Sequence, residues 1–146
     1  MSTIEFVKAY IDRLCKEIGT TSHQIYNSTT CAWYFSRGSS TIEVFLTNKE
    51  EADGSSRTFI RCFAPVFSIP RNPVTGHNLF QEALELNTKH MGIKLSIIPD
   101  KGLLCAIAER DIDGMDYQEF ISLISDISNY ADFLDDYLRI KFGKAN

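Results

Sequence analysis

Two helical apolar stripes bracket a middle that alternates with period two, and this order constrains the fold most. Val7, Tyr10, Ile11, Leu14 and Ile18 recur at helical spacing near the start. Tyr117, Phe120 or Ile121, Ile124, Ile127 or Ser128, Ala131, Leu134 and Leu138 do so near the end. Between them, Ile42, Val44 and Leu46 alternate with Glu43, Phe45 and Thr47, which predicts a half-buried strand. A chain with both periods must lay helices on a sheet, and short connections favour antiparallel strands.

The rest of the chain fits that frame. Helix is predicted over Ser2–Ile18, with Ser2 and Glu5 at capping-box spacing and Gly19 as the stop. Strands follow over Thr30–Phe35, Thr41–Thr47 and Arg57–Phe67. The charged, Gly/Ser-rich stretch Asn48–Ser56 reads as a hairpin loop. Pro65 cannot donate to a ladder, so a strand end, an edge or a bulge is expected there. A second helix is predicted over Asn78–Met91, with Phe80, Ala83, Leu84 and Met91 as its stripe. Ile93, Leu95 and Ile97 form one face of a fourth strand. Leu103–Ala108, apolar on both faces, forms a fifth, central or doubly covered. The last helix spans Tyr117–Lys141. The expectation is one α+β domain over 1–146, in the order α-β-β-β-α-β-β-α, with a five-stranded, mainly antiparallel twisted sheet.

Composition narrows the function. The 15 basic and 19 acidic residues give a net charge of −4 and no basic stripe, which argues against nucleic acid as a partner. No apolar run is long enough to span a bilayer and the N-terminus lacks a signal-peptide pattern, so a cytoplasmic location is expected, without a membrane partner. Cys15, Cys31, Cys62 and Cys105 share no paired spacing and each sits in an apolar pattern, so all four are expected as reduced core thiols.

One motif imitates a calcium loop. Asp111, Asp113 and Gly114 precede Glu119, but a calcium loop needs its bidentate Glu six residues after the Gly. Here Phe120 holds that slot. The same residues suit a helix start: Asp116 as N-cap, Glu119 at the third position, and Met115 with Phe120 as a hydrophobic staple. No metal or cofactor is expected. His23 and His77 fall in loop-like stretches, and His90 falls in the last turn of the second helix. None has metal-ligand spacing, and no nucleophile or phosphate-loop motif is present. The chain therefore reads as a non-catalytic module. A rival reading places a small-ligand or enzyme pocket between the sheet and the second helix, around His90, Asn87 and Cys62.

The element order, together with Leu86-Asn87, Gly92–Ile97, Asp100–Leu104 and the patterned helix from Asp116 to Phe142, resembles the type III secretion chaperone fold. More narrowly it is similar to the YbjN family of bacterial sensory transduction regulators. The resemblance implies a non-catalytic α+β domain, often homodimeric, and, from the secretion chaperones, one that binds an extended segment of a protein or peptide client across apolar surface patches. From the residues themselves, Ile42, Val44, Leu46, Ile93, Leu95 and Ile97 should pack under the first and last helices, at about 1.5–3 kcal/mol per fully buried large side chain. Tyr34 and Phe45, joined by Phe63 if the strands are in matching register, should share the opposite face and are the candidate partner-binding residues. Pairing along a free sheet edge is the expected binding mode, because main-chain bonds tolerate varied sequences.

Overall fold

A computed structural model describes residues 3–143. The elements are α1 (Thr3–Glu17), α2 (Ser22–Ile25), β1 (Tyr26–Asn27), β2 (Ala32–Arg37), β3 (Ser40–Glu50), β4 (Ser56–Ser68), α3 (Pro73–Lys89), β5 (Lys94–Ile98), β6 (Leu103–Asp111) and α4 (Tyr117–Phe142). The strands form one six-stranded antiparallel sheet in the order β1-β2-β3-β4-β6-β5. The sixth strand is the two-residue β1, too short for an alternation signal. The α2 turn before it is closed by a capping box between Thr21 and Gln24. Ser2, the expected cap of α1, lies outside the described residues.

One face of the sheet carries Phe35, Ile42, Val44, Ile60, Cys62, Ala64, Leu95, Leu104, Ala106 and Ala108. These pack with Val7, Ile11 and Cys15 of α1, Leu79 of α3, and Phe120, Ile127, Leu134 and Leu138 of α4 in a single buried cluster. α4 begins as its sequence dictates. The Asp116 carboxylate accepts from the Glu119 amide at 2.8 Å, and the Glu119 carboxylate accepts from the Asp116 amide at 3.4 Å. Met115 and Phe120 are both buried beside the cap. The helix ends at Gly143, whose φ of 79° suits a residue without Cβ.

Several expectations are corrected. α3 starts five residues before Asn78, because Asn72 accepts from the amides of Val74 and Thr75 and Pro73 fits the first helical position. His77 therefore lies on α3, and His23 on α2, rather than in loops. The buried side of α3 is Gly76, Leu79, Glu82 and Ala83, while Leu84 and Met91 are exposed. Ile97 is exposed too, because β5 is the outermost strand. Cys31 is no core thiol: it sits before β2 in a turn with φ of 54° and is exposed. The stretch Asn48–Ser56 is mostly strand. β3 and β4 run on to Glu50 and Ser56, held by Asn48 with Thr58 and by Arg57 with Glu51. Pro65 marks a register shift in β4, an interior strand, which is the bulge allowed for from sequence.

Candidate functional site: the helix-free sheet face

Antiparallel register decides which side chains share the second face. Glu43 lies opposite Phe63, and Phe45 opposite Arg61, so Phe63 joins Phe45 and Tyr34. β6 adds Cys105, Ile107 and Glu109 to this face, and β5 adds Lys94. The helices pack on the other side, within the core cluster. All three residues singled out from sequence therefore lie together on a face that no described helix covers.

The centre of this face is apolar and its surround is charged. The Phe45 and Phe63 rings meet edge to face at 5.2 Å, a favoured aromatic geometry. The Arg61 guanidinium lies 4.8 Å from the Phe63 centroid and 5.8 Å from that of Phe45. Arg61 also pairs with Glu109 at 2.7 Å, and Lys94 pairs with the other Glu109 oxygen at 2.8 Å. Lys94 first, and Arg61 with it, hold the Glu109 carboxyl below its ordinary value. The Tyr34 hydroxyl donates to Glu43 at 2.8 Å and lies 2.9 Å from the Thr30 hydroxyl. Tyr34, Phe45 and Phe63 are half-buried by these neighbours, while Ile107 and Cys105 beneath them are buried outside the main core. Thr47, Asn48, Lys49, Phe59, Arg61 and Glu109 line a shallow hollow beside the aromatic pair. No local pattern in the sequence marks Glu109 or Lys94 for this face; the alternation of Phe59, Arg61 and Phe63 is the signal that carries Phe59 and Arg61.

The sheet edges offer less than expected. Both outward main-chain groups of Leu95 on β5 are taken by the Asn87 amide: its oxygen accepts from the Leu95 N–H at 2.7 Å and its nitrogen donates to the carbonyl at 3.2 Å. The other edge strand is the two-residue β1. Only Tyr34–Arg37 of β2 extends past β1 without an outer strand.

The three residues of the rival reading, Asn87, Cys62 and His90, are each engaged separately. Asn87 is occupied with Leu95, and Cys62 is fully buried in β4, its thiol pushed up to about 12 by burial. The His90 ring stacks on Tyr130 at 3.7 Å, on the helical side of the molecule. Burial also raises Cys105, to about 11, so neither thiol is a nucleophile near neutral pH. Among the described residues no group of three or more His, Cys, Asp or Glu could hold a metal ion, and no helix is long and apolar enough to cross a membrane.

No protein-family profile matches the chain, and no curated protein matches it in sequence. Solved structures do match in fold. The chain is similar to a structure described as the ExsC-ExsE complex, with a TM-score of 0.69, 13% identity, and coverage of 93% of this chain and 96% of that one. It is similar to the Yersinia pestis type III secretion chaperone SycH, solved with a stable fragment of YscM2, with a TM-score of 0.59, 12% identity, and coverage of 87% and 98%. A third is the HopA1-SchA chaperone-effector complex, with a TM-score of 0.62, 10% identity, and coverage of 90% and 94%. The fold is thus the α+β fold of the type III secretion chaperones, here with six strands.

Proposed function

We propose that this chain is a non-catalytic module that binds a protein or peptide client through the helix-free sheet face, with Tyr34, Phe45 and Phe63 as contact residues. The observation that carries the reading is the aromatic pair of Phe45 and Phe63, half-buried on a face that no described helix covers. An aromatic centre ringed by ion pairs has the anatomy of a binding surface: an apolar anchor with a polar rim. The fold supports the same reading, because two of the similar structures are described as chaperones in complexes. The finer proposals follow the resemblance: a YbjN-type regulator of the cytoplasm that forms a homodimer, with a second copy as the other candidate occupant of this face.

The test replaces Phe45 with Asp, putting a charge at the centre of the face without entering the core. Bait protein and variant are compared in capture from lysate, with circular dichroism as the folding control. The expected result is a client retained by the wild type and lost from Phe45→Asp. Unchanged capture by the folded variant removes this face from the reading. Light scattering after size exclusion separates the occupants: a dimer that Phe45→Asp turns into monomer assigns the face to a second copy.

A further inference from the structure

α4 carries more apolar surface than the sheet covers. Phe120, Ile124, Ile127, Ala131, Leu134 and Leu138 form its buried stripe. Tyr130, Phe133, Tyr137 and Ile140 form a second stripe, in steps of three, four and three, the spacing of a coiled-coil seam. The rings make a ladder. His90, at the end of α3, stacks on Tyr130 at 3.7 Å, Tyr130 lies 6.3 Å from Phe133, and Phe133 lies 5.5 Å from Tyr137. The seam is sealed at its base and open along its length: Tyr130 is 7% exposed, Phe133 54% and Ile140 87%.

α3 runs antiparallel beside this stripe and touches it at two points, with a separate hollow at each end. Glu82 accepts from Tyr137 and pairs with Lys141 at 2.8 Å near one end, while His90 meets Tyr130 near the other. Carboxylates flank the stripe. Asp126 lines the hollow beside Tyr130 and Phe133, Glu85 lines the one near Lys141, and Asp136 adjoins Tyr137 on the outer side of α4. No ion pair involves these three among the described residues, whereas Lys141 is engaged with Glu82. Lys89, at the end of α3, is a further basic residue on that side.

We propose that this exposed stripe of α4 docks an amphipathic α-helix of another protein, with apolar residues at three- and four-residue steps and Lys or Arg on the flanks. Seam spacing suits a helix because its knobs can enter the gaps between Tyr130, Phe133, Tyr137 and Ile140. The flanking carboxylates select a basic flank, and a second copy of this chain, bringing the same carboxylates, is disfavoured by like charge. The surface lies across the sheet from Phe45 and Phe63, so it stands independently of the client face proposed above.

The probe is a fluorescein-labelled three-heptad peptide with Leu at a and d and Lys at e and g, whose like-charged flanks oppose self-pairing. Anisotropy should report saturable binding. It should weaken about tenfold or more in Phe133→Ser and in Ile140→Ser, as for central interface anchors. The control is Ile18→Ser, at another exposed apolar position, also 54% exposed, which should leave binding unchanged. A matched peptide with Glu at e and g should bind about tenfold more weakly at low salt. Equal binding of the two peptides overturns the proposal, as does binding insensitive to both α4 substitutions or no saturable binding. A wild-type dimer that Phe133→Ser dissociates also overturns it, by assigning the seam to a second copy. Both substituted residues are exposed, and circular dichroism serves as the folding control.

Discussion

Replacing Asn87 with Ala tests how the β5 edge is closed. The side chain makes two hydrogen bonds to one residue, at 2.7 Å to the Leu95 N–H and 3.2 Å to its carbonyl. Each is worth about 0.5–1.5 kcal/mol net, so the loss should be about 1–3 kcal/mol. For 146 residues the unfolding entropy is about 0.3 kcal/mol/K, which converts the loss to a Tm drop of about 3–10 °C. Asn87→Asp should recover little, since a carboxylate can accept from the N–H but sets its second oxygen against the carbonyl. Native-state hydrogen exchange gives the site-specific reading. The Leu95 amide should lose protection, while Lys94 and Ser96, whose groups face β6, keep theirs. The freed edge should also raise the tendency of chains to pair, seen as concentration-dependent light scattering. A Tm loss under about 1 °C with the Leu95 amide still protected would refute the reasoning.

Asp116→Ala removes the cap and half of the capping box of α4 and should cost about 1 kcal/mol in urea unfolding. The Glu82 carboxyl is held below its ordinary value by Lys141 first and Tyr137 next. A carboxyl with a depressed folded value contributes stability above its unfolded value of about 4.3 and loses it as pH falls through the folded one. Glu82→Gln should therefore flatten the fall in stability below about pH 4.3, measured as Tm against pH; an unchanged slope would count against the pairing. In a thiol-reagent titration of the native protein, Cys31 should react quickly. Cys15, Cys62 and Cys105, all buried with raised values, should react only on unfolding.

What was legible in the sequence was what a few neighbouring residues decide. Asp116 and Glu119 start a helix through two hydrogen bonds three residues apart, and Met115 and Phe120 are both buried beside them. The alternation at Ile42, Val44 and Leu46 put two buried residues and one half-buried residue on the core face, and Phe45 on the other. The start of α3 is also local, since Asn72-Pro73 is a cap followed by a first-turn proline.

Tertiary structure decided the rest, because burial belongs to neighbours that are distant in sequence. Leu84, Met91 and Ile97 are as apolar as the residues beside them, yet they face solvent because α3 turns another side inward and β5 is outermost. Cys31 left the core because the turn before β2 placed it outside, a conformation its apolar flanks could not reveal. β4 and β6 carry apolar residues on both sides, so periodicity could not say which side the helices would cover. The register of Glu43 with Phe63 and the crossing of α4 over β3, β4 and β6 settled it. The sequence by itself determined where helices and strands could form. The assembled sheet determined that Tyr34, Phe45 and Phe63 would share the face without a helix, since only long-range pairing brings three strands into one surface.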